Sequence, residues 1–135
     1  MKAKIFSDGG ARGNPGPAGI GFVLSVGKDE PIEVGEYVGK ATNNQAEYLA
    51  IKKGLERAIN EKVGEIECFL DSELVVKQLN GEYRVKNHGL RPIFEDVKEL
   101  ANRFDRVTFA HVRRENNKEA DRMVNEAIDS HLGKT

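Results

Sequence analysis

The chain has 135 residues, with 21 Lys+Arg against 22 Asp+Glu for a formal net charge of -1. Apolar residues make up 39% and none of their runs approaches the roughly 18–20 residues of a membrane span, so the reading is one globular domain over residues 1–135 with no membrane association. A single cysteine, Cys68, excludes an internal disulfide and a multi-cysteine metal centre. The N-terminus lacks a signal-peptide pattern, and the expected location is the cytoplasm.

The first strand is expected from Ala3 to about Ser7, followed by a turn-rich loop through Gly9, Gly10, Gly13, Asn14, Pro15, Gly16 and Pro17. Residues 18–26 alternate, with Ala18, Ile20, Phe22, Leu24 and Val26 on one face, the pattern of a half-buried antiparallel strand. A turn over Lys28 to Pro31 leads into a third strand, Ile32 to Val38. Thr42 and Gln45 form a capping box for a helix whose apolar stripe is Tyr48, Ile51, Leu55, Ala58 and Ile59. A strand Glu65–Leu70 follows, then a short helix from Ser72 to Leu79 and a polar loop from Gly81 to Gly89. A helix from about Leu90 to Phe104, a strand Arg106–Val112 and a last helix from about Asn117 to Ser130 complete the order β-β-β-α-β-α-α-β-α. Three strands joined by short turns predict an antiparallel meander. The strand-helix-strand passages add parallel strands, giving a mixed sheet with helices on both faces.

Four acids occupy telling positions. Asp8 and Asp71 end strands whose carboxyl ends should lie side by side, where ligands gather in mixed α/β sheets. Glu47 precedes Ile51 by four residues and Leu55 by eight, and so shares the core-facing stripe of its helix. Asp121 repeats this pattern ahead of Val124 and Ile128. Buried carboxylates need partners, and the neighbouring sequence offers no base at Asp8, Glu47 or Asp71, which points to a hard divalent cation bound by oxygen. Simpler roles exist for each acid taken alone: Asp8 as a turn starter, Asp71 as a helix cap, Glu47 and Asp121 as first-turn acids answering the helix dipole.

The motifs Ser7-Asp8-Gly9-Gly10 with Gly13-Asn14-Pro15-Gly16, Thr42-Asn43-Asn44-Gln45-Ala46-Glu47, Leu70-Asp71-Ser72 and Ala120-Asp121 occur in this order over nearly the whole chain. In them the sequence resembles the type 1 ribonucleases H, in a short form lacking the basic protrusion. The resemblance implies an α/β ribonuclease H-like fold, with a five-stranded mixed sheet whose first three strands are antiparallel. It also implies hydrolysis of the RNA strand of RNA/DNA hybrids to 5′-phosphate and 3′-hydroxyl ends. The family's acidic tetrad falls on Asp8, Glu47, Asp71 and Asp121, which would hold two Mg²⁺ ions, with Mn²⁺ as the alternative. Asp8 would bridge the pair, Glu47 and Asp71 would ligate one ion and Asp121 the other. Substrate contacts fall on Gly10, Arg12, Gly13, Asn14, Thr42, Asn43 and Asn44. No obligate protein partner is evident.

Three departures from the family's pattern stand out. Glu73 replaces a glutamine common in the family, and only Arg84, Lys86, His88 and Arg91 remain where long members carry a basic protrusion. The loop before the fourth acid reads Val112-Arg113-Arg114-Glu115-Asn116, so Arg114 or, as the alternative, His111 stands in for the family's histidine. Competing readings are a related nuclease of the same fold acting on other nucleic acids, a noncatalytic hybrid-binding module, and a domain whose acids only cap and turn.

Overall fold

The computed structural model describes residues 1–133. Alternating burial along the strands sorts the sheet into two faces. Strand β1 (Lys2–Ala11) buries Ala3, Ile5, Ser7 and Gly9, and pairs antiparallel with β2 (Gly16–Val26). Strand β3 (Ile32–Ala41) pairs antiparallel with β2. Strand β4 (Glu65–Leu70) lies parallel to β1, and β5 (Arg106–His111) parallel to β4. The five-stranded order is β3-β2-β1-β4-β5.

Helix α1 (Asn43–Asn60) begins with the expected capping box, in which the Thr42 hydroxyl accepts from the Gln45 amide and the Gln45 side chain from the Thr42 amide. Its Tyr48, Ile51 and Leu55 are fully buried in a core with Ile5, Leu24, Leu70, Val75 and Leu79. Helix α2 (Glu73–Leu79) is capped by Ser72, and α3 (Arg91–Ala101) packs against α1. Helix α4 (Lys118–His131) covers the opposite face over β1, β2 and β3, after a single 3-10 turn at Arg114–Asn116. Among the described residues, no helix is long and apolar enough to cross a membrane.

The five-stranded mixed sheet, with its antiparallel first three strands and helices on both faces, is as expected; the third strand runs on to Ala41 and some other ends shift by a few residues, and two differences bear on the site. The first strand does not stop near Ser7: it continues through Asp8, Gly9 and Gly10 to Ala11, so Gly9-Gly10 is strand rather than turn. A Cβ on Gly9 would sit 2.2 Å from the Ala46 carbonyl oxygen, so this glycine lets α1 press on the strand. The second strand is buried on both faces rather than one. Gly21 lies under α4, where a Cβ would come within 2.4 Å of the Ala120 carbonyl oxygen. Tight contact between backbones explains glycine in a strand at both places.

Candidate active site

The parallel pairing of β1 with β4 runs as far as Ser7 opposite Leu70. Asp8 and Asp71 are the next residues on each chain, so the sheet itself delivers two carboxylates side by side. Helix α1, seated on Gly9, brings Glu47 to the same point. Carboxylate oxygens of Asp8, Glu47 and Asp71 all lie within 4.8 Å of one another, and all three residues are half-buried. Asp121, in the first turn of α4, stands beside this trio, its carboxyl hydrogen-bonded to that of Asp8.

Each acid of the trio is braced. Asp8 Oδ1 accepts from the Gly9 amide at 2.9 Å, and Glu47 is hydrogen-bonded to the Ser72 side chain, which also caps α2. Asp71 Oδ2 accepts from Asn117 Nδ2 at 3.0 Å.

The electrostatics record crowding. Burial first, then the charge of Asp71, the hydrogen bond with Asp121 and the charges of Glu47 and Asp121 raise the Asp8 carboxyl to about 8. Burial raises Glu47 to about 7; the Ser72 hydrogen bond opposes the rise, Asp71 adds to it and the positive charge of Arg114 opposes it. Among the described residues, none of the four acids forms a salt bridge. Clustered oxygen donors without a salt-bridged partner fit a hard divalent cation, whose charge would remove the repulsion.

The other expected site residues surround this cluster unevenly. Asn14 Oδ1 accepts from the Asn43 amide at 3.1 Å, and Asn43 Oδ1 from the Ala11 amide at 2.8 Å. Both side-chain oxygens are thereby used within the protein, so each asparagine presents its NH₂ group as a donor. Gly13, Asn14 and Asn43 are exposed and Asn44 half-buried, Thr42 serves as the α1 cap, and Gly10 pairs with Gly19 inside the sheet. Arg12 turns away toward α4, where its guanidinium is paired with Asp129 and reaches Asn125. Of the two candidates for the histidine position, Arg114 acts electrostatically on Glu47, whereas His111, at the end of β5, acts on Glu73.

Two contributors were not singled out from the sequence. Ser72 is expected only as the first residue of a helix that Asp71 could cap; the structure makes Ser72 the cap, and it also bonds Glu47. Asn117 was read only as a helix start, yet it lies four residues before Asp121. That i,i+4 spacing is the signal that could have placed it on the same helix face.

The family model described as reverse transcriptase-like matches residues 6–127. The chain is 39% identical over 132 residues to a bifunctional protein of Mycobacterium tuberculosis, covering 96% of this chain and 36% of that protein. It is 43% identical over 129 residues to the ribonuclease HI of Halobacterium salinarum, covering 95% of this chain and 65% of the relative. The chain thus spans between about a third and two thirds of these relatives. The crystal structure of RNase H1 from Halobacterium salinarum superposes with a TM-score of 0.92 at 41% identity, over 96% of this chain and 99% of that one. LC11-RNase H1, solved in complex with an RNA/DNA hybrid, superposes with a TM-score of 0.88 at 42% identity, over 96% and 99% of the two chains. With the fold, the acid cluster and these similarities in agreement, the chain belongs to the ribonuclease H family.

Proposed function

We propose that residues 1–135 form a metal-dependent endoribonuclease domain. It hydrolyses the RNA strand of RNA/DNA hybrids and leaves 5′-phosphate and 3′-hydroxyl ends. The observation that carries the reading is the convergence of Asp8, Glu47 and Asp71, from β1, α1 and the end of β4, with oxygens within 4.8 Å of one another. The hybrid substrate is supported by the likeness to the hybrid-bound relative.

The four acids are the proposed ligands of two Mg²⁺ ions, Mn²⁺ being the alternative. Bound there, such ions would supply charge to activate an attacking water and to stabilise the leaving 3′ oxygen. The protein's own groups do the rest. Asp8, backed by the Gly9 amide, lies between the Glu47–Asp71 side and the Asp121 side of the site. Asn14 and Asn43, with their oxygens tied down, offer N–H donors to acceptors in the wide minor groove and to RNA 2′-hydroxyls. The N-terminus of α1 at Thr42 and Asn44 suits a DNA-strand phosphate, and the close backbone around Gly10 and Gly13 allows a sugar to approach. Arg12 acts here as a clamp between this loop and α4. Arg114, whose guanidinium offers donors and no acceptor, neutralises charge on the cleaved phosphate or helps product leave and has no role as a base. Arg84, Lys86, His88 and Arg91 add a salt-sensitive contact to the duplex backbone. The free, buried Cys68 suits a reducing compartment, and the proposal places the protein in the cytoplasm.

The test is cleavage of end-labelled RNA/DNA, RNA/RNA and DNA/DNA duplexes with Mg²⁺, with Mn²⁺ and with EDTA. Selective, EDTA-sensitive cutting of the RNA strand in the hybrid is expected. Equal cutting of DNA/DNA, or cutting unaffected by EDTA, overturns the reading.

A further inference from the structure

We infer that Asn117 is the positioning residue that fixes Asp71 for metal binding and fastens α4 to the rest of the site, an inference that rests on the metal-dependent reading above. Asn117 is only 2% exposed. Its Nδ2 donates to the Ser7 carbonyl oxygen at 2.8 Å, one residue before Asp8, and to Asp71 Oδ2 at 3.0 Å. Both partners only accept, so chemistry fixes the amide orientation: turned over, its oxygen would face two oxygens. The Asn117 amide donates to the Arg114 carbonyl at 2.9 Å, and its own carbonyl accepts from the Asp121 amide at 3.1 Å.

One residue thus bonds the strand carrying Asp8, the carboxylate of Asp71, the turn carrying Arg114 and the helix carrying Asp121. It does so while leaving its own Oδ1 buried without a partner. A buried acceptor without a partner is disfavoured, and a side chain that merely filled space would avoid one by being apolar. Retaining an amide here makes sense through its two N–H groups. Tethering Oδ2 sets the rotation of the Asp71 carboxylate before any cation arrives, as partners of metal-ligating side chains do.

The test is calorimetric titration of the wild type, N117A and N117L with Mn²⁺ and Mg²⁺, alongside hybrid cleavage and melting in EDTA. N117L fills much of the space without supplying a donor. The wild type should bind; both variants should bind about 10–100-fold more weakly. Their turnover should fall with little change in KM for hybrid, and excess metal should restore part of it. Unchanged metal affinity in either folded variant overturns the inference while leaving the metal reading intact. A wild type that binds neither cation overturns both. Should both variants fail to fold, the wild type still decides the matter by NMR. The Asn117 side-chain amide resonances should move during a Mg²⁺ titration with the midpoint measured by calorimetry, and resonances that stay fixed overturn the inference.

Discussion

Helices α1 and α4 reach the same end of β1 from opposite faces, each carrying one acid, and they are held in different ways. Helix α1 is anchored by large apolar side chains, with Tyr48, Ile51 and Leu55 fully buried. Its acid, Glu47, lies within the tight trio. Helix α4 buries the smaller set Met123, Val124 and Ile128; like α1 at Gly9 it rests on strand backbone, at Gly21, and side-chain links from remote parts of the chain, Arg12 to Asp129 and Asn117 to Asp71, tie it at both ends. Its acid, Asp121, stands beside the trio and reaches it by a hydrogen bond to Asp8. Apolar packing over a long helix fixes the first half of the site. The second half adds directional contacts to a shorter apolar face, and the expectation is that it is the more adjustable of the two.

Asp8 belongs to both halves, so its loss should have the largest effect. Asp8→Asn should lower hybrid cleavage on the order of 10³-fold or more, as expected for several kcal/mol of lost charge stabilisation. The fold should persist, because the amide keeps the shape of a carboxyl whose charged form the crowded, buried site already disfavours. Substantial Mg²⁺-dependent cleavage by this variant breaks the account.

Two glycine substitutions separate the halves. Gly9→Ala forces a methyl against the Ala46 carbonyl at 2.2 Å, and Gly21→Ala forces one against the Ala120 carbonyl at 2.4 Å. Neither backbone can yield cheaply, so each should cost about 1–3 kcal/mol in denaturant unfolding. Gly9→Ala should displace Glu47 and weaken metal binding seen by calorimetry. Gly21→Ala should displace Asp121 and lower turnover, with the tightest metal binding close to that of the wild type. The opposite pattern would reverse the assignment of fixed and adjustable halves.

The sequence announced the acids and concealed part of what holds them. Asp8 and Asp71 were legible as residues at the ends of neighbouring strands, and Glu47 and Asp121 as acids on core-facing stripes. The passage of β1 through Gly9 and Gly10 was not legible, because Gly-Gly reads locally as a turn. At Gly9 the reason is Ala46, far along the chain, whose carbonyl leaves no room for a side chain on the strand. Arg12 shows the same limit: a basic residue in a substrate loop looks free until Asp129 of α4 is brought against it. Asn117 was hidden because its partners, Ser7 and Asp71, are remote in sequence.

Arg114 sharpens the comparison further, since its charge crosses from the turn before α4 to Glu47 on α1. Arg114→Ala should lower turnover about 10-fold or more at saturating hybrid, the range expected when a group outside the ligand set is lost, with KM little changed. Normal turnover would mark it as an ordinary surface charge and shift attention to His111.

A smaller effect should appear in stability against pH without metal. Asp8 and Glu47 are raised to about 8 and about 7, so between about pH 4 and pH 8 the folded protein holds protons that the unfolded chain has lost. Stability from these groups therefore falls as pH rises through that window. Melting in EDTA should show this fall, Asp8→Asn should flatten it, and Mg²⁺ should reduce it. A metal-free protein whose stability rose across the window through these groups would contradict the crowding described for the site.

The most direct measurement is an anomalous difference map from crystals grown or soaked with Mn²⁺ at neutral pH. The account predicts a peak coordinated by Asp8, Glu47 and Asp71, with any second peak on the Asp121 side. A map with Mn²⁺ elsewhere on the protein and none among these three carboxylates would contradict it.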